Sequence, residues 1–417
     1  MNLLSPETDK LSSAAQHGPW LSLVGLGEDG RAGLTPEALA ALEQAEIVFG
    51  GERHLKLIGK VPGEARAWPQ PFRNALPAIL AERGRAVCVL ATSDPFHYGI
   101  GAGLTKALPP EEMRVIPQLS AFSMACTRMR WPQEECALVS LHGRALQRII
   151  PLLQPGARIL ALSWDESTPA AVAALLSERG LGGSSLTVLE ALGGPKERVR
   201  ETRADAFAIE GIVPLNMLAV SVVAGADARI LPLANGLADD WFEHDGQLTK
   251  ADIRAITLSA LAPRAGELLW DVGAGSGSIG IEWCLRHRHN RAIAFEELPE
   301  RAARIGRNRL TLGAVPIEIV EGKAPASFAG KASPDAVFIG GGLGDPGLFE
   351  AAFAALKPGG RLVANAVTIE GEARLAALFA QHGGNLRRIG IAHLDPVGTM
   401  HGWRPAMPVT QWRVVKP

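Results

Sequence analysis

The sequence predicts an α/β protein in two parts, the second a seven-stranded Rossmann-like domain. Three observations carry this expectation. Short β-rich runs alternate with helical runs along most of the chain. The rhythm breaks between Leu231 and Gln247, a stretch richer in Pro, Gly, Asp and Asn, and then restarts. A glycine loop at Asp271–Gly277 lies between an apolar run and a helical one.

The elements follow in order. Residues 1–18 carry no periodic pattern and read as a loose leader. Trp20–Gly25 is a strand running into a glycine turn. Thr35-Pro36-Glu37 then opens a helix, with Thr as N-cap, Pro at the first helical position and Glu near the positive dipole end. Strands are expected at 47–49, 86–91, 114–116, 137–141, 158–162 and 186–189, with helices near 121–129, 144–153 and 168–179. Arg198–Phe207 and Leu218–Ala224 follow without a helix between them and are expected to pair antiparallel. Lys250–Leu261 shows Ile253, Ile256, Ala260 and Leu261 on one helical face. Beyond it, strands are expected at 267–272, 291–296, 317–320, 335–339, 361–366, 386–393 and 409–415, with helices at 278–285, 299–310, 348–356 and 371–381. The resulting division is 1–18 leader, 19–231 first domain, 232–247 linker and 248–417 second domain.

Composition narrows the function. At roughly 150 residues per domain, 417 residues suit two or three domains. Lys plus Arg number 42 against 43 Asp plus Glu, which gives no broad basic footprint for nucleic acid or anionic lipid. Cys88, Cys126, Cys136 and Cys284 form no C-x-x-C pair and are expected as buried thiols, with no metal site. No secretory signal is visible. The longest apolar stretch, Ile212–Ala224, is broken by Pro214, Asn216 and Ser221, so no membrane span is expected. The expected location is the cytoplasm.

The sharpest motif is Asp271-Val-Gly273-Ala-Gly275-Ser-Gly277. Its glycines allow a tight turn and a close backbone approach to a ligand. Glu296 ends the next strand, where an acceptor for a ribose diol belongs. Gly275–Gly280 also matches the dinucleotide pattern G-x-G-x-x-G. Asp271 weighs against that reading, because a carboxylate there repels a pyrophosphate but suits a sulfonium cofactor and its amino group. The loop resembles motif I of class I methyltransferases that use S-adenosyl-L-methionine. Gly340-Gly341-Gly342 adds a flexible backbone at the carboxyl end of another strand. In the first domain three polar turns follow strands: Asp94-Pro95 through Gly99, Ser120-Ala121, and His142-Gly143-Arg144. Asp94, His97, His142 and Arg144 are candidates there for acid–base or carboxylate-binding roles.

The chain as a whole resembles two families of corrin biosynthesis. Residues 19–230 resemble the tetrapyrrole methylases, in their precorrin C5-methyltransferase branch. The resemblance rests on Val24–Gly30, Phe49-Gly-Gly-Glu-Arg-His-Leu55, Ala91–Pro95, Gln118–Phe122, Ser140–Arg144 and Glu190–Arg198. Residues 240–417 resemble the decarboxylating precorrin C15-methyltransferases through Leu248–Arg254, Leu269–Gly277, Glu321–Pro325 and Phe338–Gly342. The resemblance implies a tetrapyrrole methylase fold of two α/β subdomains, followed by a class I methyltransferase domain. It also implies a bifunctional enzyme of aerobic cobalamin biosynthesis. Such an enzyme methylates reduced precorrin-6 at C5 and C15 and decarboxylates the ring C (C12) acetate to give precorrin-8x.

One S-adenosyl-L-methionine per domain is then expected. Its contacts would be Gly25, Gly27, Asp94, Pro95, Gly99, Ser120 and Ala121 in the first domain. In the second they would be Asp271, Gly273, Gly275, Gly277, Glu296, Ala324, Gly340 and Gly341. Two departures stand out. Ser93 replaces a glycine common in the first family, and Lys323 replaces an aspartate usual in the second. The polycarboxylate substrate suggests an arginine-lined cleft. Arg128, Arg130 and Arg144, with Lys250, Arg254 and Arg404, are its candidates. Arg144, Lys250, Arg254 and His401 are expected to position substrate, with His401 in a loop at the border of the second site. The expected partners are a small tetrapyrrole, neighbouring enzymes of the pathway and further copies of the chain. Three alternatives stay open from sequence: an NAD-dependent oxidoreductase, a non-catalytic tetrapyrrole carrier, and a methyltransferase with one degenerate domain.

Overall fold

A computed structural model describes residues 18–417; the leader expected at 1–18 lies, but for Gly18, outside the described residues. The chain forms two compact units. One runs to Arg144 and resumes over Pro155–Arg229, and the other holds Ala145–Gln154 with Ile230–Pro417.

The first unit contains two sheets. The first comprises β1 (Leu21–Leu26), β2 (Ile47–Gly50), β3 (Glu64–Ala67), β4 (Val87–Thr92) and β5 (Met113–Ile116), all parallel, in the order β3-β2-β4-β1-β5. Its inner strands are buried on both faces, which explains their unbroken apolar runs. The edge strand β3, Glu-Ala-Arg-Ala, is largely exposed and carries no apolar signal, so sequence reasoning missed it. Thr35 caps the helix Pro36–Gln44, its hydroxyl accepting from the Ala38 N–H.

The second sheet comprises β6 (Cys136–Ser140), β7 (Arg158–Leu162), β8 (Ser185–Glu190), β9 (Arg198–Arg203) and β10 (Asn216–Ser221), ordered β6-β7-β10-β8-β9. The antiparallel pair expected of β9 and β10 does not form. β8 lies between them and pairs antiparallel with each. The helix expected at 144–153 is a 3-10 segment, Leu146–Leu152, because Pro151 removes a backbone donor.

The second unit holds one sheet of seven strands: β11 (Leu268–Val272), β12 (Arg291–Glu296), β13 (Ile317–Glu321), β14 (Ala336–Ile339), β15 (Arg361–Ala366), β16 (Asn385–Ile389) and, after the hairpin of β17 (Ala392–Val397) and β18 (Met400–Pro405), β19 (Val409–Val415). The order is β13-β12-β11-β14-β15-β19-β16, with β19 antiparallel to both its neighbours. Apolar cores cover both faces. Leu237 and Phe242, within the stretch read as a linker, are buried in one of them. The strand order reverses beside β11, so its carboxyl end opens into a crevice where ligands bind in such sheets. Among the described residues no helix is long and apolar enough to cross a membrane.

Candidate functional site

A deep cleft opens in each unit among the described residues. In the second unit the cleft has a volume of about 620 Å³ and sits at the carboxyl ends of the parallel strands. Asp271 is the penultimate residue of β11 and is 1% exposed. Its Oδ2 accepts the Gly280 N–H at 2.9 Å, in the first turn of helix Ser278–Leu285. Burial, opposed by that hydrogen bond and reinforced by the Glu296 charge, raises the Asp271 carboxyl to about 7. Glu296 ends β12. It accepts the Gly275 N–H at 2.8 Å and the Leu298 N–H at 3.1 Å, one on each carboxylate oxygen. Each oxygen keeps a further lone pair for a hydroxyl donor.

The glycine loop is held close. Gly273 has φ +68, and a Cβ added there would lie 2.9 Å from the Gly341 N. The two loops therefore touch backbone to backbone, and only glycine fits between them. Asp271, Gly273, Gly275, Glu296, Ala324, Gly340, Gly341 and Lys250 all line this cleft. Lys323, standing where an aspartate was expected, also lines it, 3.8 Å from Asp345.

Other expected residues stand elsewhere. Gly277 does not line the cleft; a Cβ on it would meet Ile305 Cγ2 at 2.8 Å, so its role is to let two helices pack. Arg254 is fully buried, its Nε 2.5 Å from Glu282 Oε1 and its guanidinium 4.6 Å from the centre of the Phe242 ring. It is part of the core and faces no substrate. His401 and Arg404 lie on β18, in a hairpin where a loop was expected, and neither lines the cleft. His393 from β17 does, as do Asn365 and Asp345, and sequence reasoning singled out none of these.

The cleft of the first unit has a volume of about 680 Å³ and is lined by the carboxyl ends of β4, β6, β7 and β8 and by the amino end of β10. Asp94, Gly99, Ser120, Ala121, His97, His142 and Arg144 line it. Asp94 Oδ1 accepts the Phe96 N–H at 2.9 Å, fixing the turn. Ser120 caps helix Ala121–Met129 through the Ser123 N–H at 3.1 Å. The Arg144 guanidinium stands 4.9 Å from the Tyr98 ring centre. Gly25, Gly27 and Pro95 lie outside the lining. Gly25 is where three backbones converge, since a Cβ there would fall 1.9 Å from the Ser93 O and 2.6 Å from the Gln118 N. Ser93 itself sits at φ 51, the left-handed conformation that a glycine takes without strain. Arg128 is paired with Glu197 at 2.5 Å, and Arg130 ends its helix in a left-handed conformation. Neither lines the cleft. Glu28, Arg53, His54 and Thr92 do. Their sequence signals were three family-like runs, Val24–Gly30, Phe49–Leu55 and Ala91–Pro95, within which no role was attached to these four residues.

Comparison with known proteins gives consistent matches. Residues 21–208 match the family described as Tetrapyrrole (Corrin/Porphyrin) Methylases, and residues 240–416 match the one described as Precorrin methyltransferase domain. A Sinorhizobium protein named precorrin-6Y C(5,15)-methyltransferase (decarboxylating) is 52% identical over 399 residues, covering 95% of this chain and 97% of that protein. A Salmonella typhimurium protein named cobalt-precorrin-7 C(5)-methyltransferase is 31% identical over 179 residues, 43% of this chain and 88% of its own length. A second protein of that organism, named cobalt-precorrin-6B C(15)-methyltransferase (decarboxylating), is 35% identical over 166 residues, 39% of this chain and 85% of its own length.

Proposed function

The chain belongs to the family of decarboxylating precorrin-6Y C5,15-methyltransferases, and we propose that its two clefts divide the chemistry. The cleft of the first unit methylates C5 of the reduced precorrin. The cleft of the second methylates C15 and removes the ring C acetate carboxyl as carbon dioxide. The division is supported by the two Salmonella relatives, in which C5 and C15 activities are named on separate proteins.

S-adenosyl-L-methionine supplies an electrophilic methyl at both clefts. The observation that carries this reading is the pair of buried carboxylates, Asp271 and Glu296, in the last two residues of adjacent strands at a glycine loop. Asp271 would take the ammonium of the amino-acid moiety. Glu296 would accept the ribose hydroxyls through the lone pairs that Gly275 and Leu298 leave free. The Gly273–Gly341 contact holds the two glycine loops together at the cleft wall, so bare backbone lines it on both sides. A dinucleotide fits poorly, because the Asp271 carboxyl lining the cleft beside the glycine loop would face its pyrophosphate. The macrocycle supplies its own electron-rich carbon, so the protein positions the reactants and excludes water. Lys250, at the N-cap of helix Ala251–Leu261, is the cation the cleft offers to substrate carboxylates on that helix.

The test is mass spectrometry of the tetrapyrrole after incubation with the whole chain and methyl-labelled S-adenosyl-L-methionine. The expected product carries labelled methyls at C5 and C15 and has lost carbon dioxide. Binding of tetrapyrrole without label transfer would instead favour a carrier.

The Asp271 carboxyl gives a pH dependence. An ammonium pairs with the carboxylate and not with the acid. Donor affinity at the second cleft should therefore be full above about 7 and weaken as pH falls through that value, approaching about tenfold per pH unit for a single proton. Calorimetric titration between pH 8 and pH 5.5 checks this, and a flat affinity would separate Asp271 from the ammonium.

A further inference from the structure

The cleft of the first unit contains a connected polar chain that the methyl-donor contacts do not use. Arg53 and His54 lie in the first turn of helix Glu52–Ile58, and Thr92 ends β4. Arg53 is ion-paired with Glu28. Its Nη2 lies 3.1 Å from Thr92 Oγ1 and 3.2 Å from His54 Nε2, and those two atoms are 2.9 Å apart. A guanidinium has donors only. Nε2 of His54 therefore accepts, which assigns the ring proton to Nδ1. With Nε2 bare, the 2.9 Å contact makes the Thr92 hydroxyl the donor, and the single Nε2 lone pair is shared between Thr92 as the shorter branch and Arg53, at 3.2 Å, as the longer one. His54 is 8% exposed, and its Nδ1 has no hydrogen-bond partner. Thr92, by contrast, is exposed to the cleft.

This hydroxyl has its proton already aimed at a neutral imidazole and one lone pair free toward the cleft. Burial, reinforced by the neighbouring Arg53 charge, lowers the imidazole to about 4 and keeps it unprotonated at neutral pH. Asp94, His97, His142 and Arg144 line the same cleft from other elements, but none belongs to this chain of hydrogen bonds.

Building on the reading that this cleft methylates C5, the charge balance calls for such a group. Forming the carbon–methyl bond uses a π electron pair of the macrocycle, and the electrons of the broken carbon–sulfur bond stay with sulfur. The macrocycle thereby gains one positive charge and must lose a proton to become neutral. We propose that Thr92 and His54 are the proton-accepting relay of this cleft: Thr92 Oγ1 takes the proton leaving the macrocycle while its own hydroxyl proton passes to His54 Nε2. Thr92 is the catalytic residue, and His54 acts through it. The imidazolium so formed stands beside Arg53 and holds its proton weakly, so it returns the proton through Thr92 once product has left.

Two measurements on the full chain test the relay. In the ligand-free protein carrying isotope-labelled histidine, NMR should find His54 protonated at Nδ1 and bare at Nε2 at neutral pH. Arg53→Gln should move its titration to higher pH, since a neighbouring cation is lost. In turnover, Thr92→Val should lower kcat for C5 methylation by about 100-fold or more, the range of a lost acid–base group, with KM and the C15 steps unchanged. Thr92→Ser should restore kcat to within about tenfold of wild type. A Thr92→Val kcat within about threefold of wild type, a Thr92→Ser variant as slow as Thr92→Val, or His54 protonated at Nε2 would each overturn the relay. A wild-type chain that leaves C5 unmethylated while the NMR assignment holds would overturn the C5 reading, and the relay with it.

Discussion

Replacing Asp271 with alanine is expected to abolish C15 methylation and decarboxylation while C5 methylation continues. The carboxylate is buried at the foot of the second cleft, where water cannot replace its charge. Deleting one member of a buried charge pair costs about 3–5 kcal/mol, so donor affinity at this site should fall by about 10²- to 10⁴-fold. Asp271→Asn separates charge from hydrogen bonding, because the amide oxygen can still accept from Gly280 N–H. It should lose the donor affinity while keeping the loop intact.

The ligand-free stability of this variant carries the opposite sign. The folded carboxyl titrates near 7, above its ordinary 3.8, so between those values the unfolded chain binds fewer protons than the folded one. Stability then falls as pH rises from about 4 to about 7, because the unfolded carboxyl is ionised there while the buried one still holds its proton. Asp271→Asn should therefore unfold at a higher temperature than wild type at pH 8. Calorimetry and position-resolved product masses check both halves, and label at both carbons in Asp271→Ala would remove Asp271 from the donor site.

Arg254→Met should destabilise the second unit by about 3–5 kcal/mol, lowering its melting temperature by roughly 10 °C. Arg254 and Glu282 are both fully buried. Glu282 also accepts the Gly236 and Leu237 N–H groups at 2.7 and 3.0 Å, and Arg254 donates to the carbonyls of Leu237 and Thr249. Together they clamp the 236–242 segment onto helices Ala251–Leu261 and Ser278–Leu285. Removing the arginine leaves the Glu282 charge buried without its counterion, and that penalty is the larger part of the loss. Arg254→Met with Glu282→Gln should recover part of the stability, because the stranded charge is gone. A substrate-binding arginine would behave differently, raising KM for the precorrin with little change in melting temperature.

The contrast between Lys250 and Arg254 shows where sequence reasoning stopped. Four residues apart, they were expected to share one role, since that spacing places side chains on one helical face. Periodicity says which residues share a face but not what covers it. Here the chain at Leu237–Phe242 folds over Arg254, and Lys250 remains at the open end. Gly277 divides from Gly273 in the same way: one string of glycines, but the first loop glycine meets a second loop and the last meets Ile305.

By itself, the sequence determined the alternation of strands and helices, the two-part organisation, the seven strands of the second sheet and the acidic glycine loop. Each is written in local periodicity, turn chemistry or a contiguous motif, and needs no knowledge of distant residues. Only the tertiary structure decided which basic side chains reach a cleft, that β8 separates β9 from β10, that a hairpin stands where a loop was expected, and that Arg53, His54, Thr92 and Glu28 meet. Those facts depend on long-range packing. Glu28 and Thr92 are far apart in the chain and adjacent only because β4 pairs alongside β1.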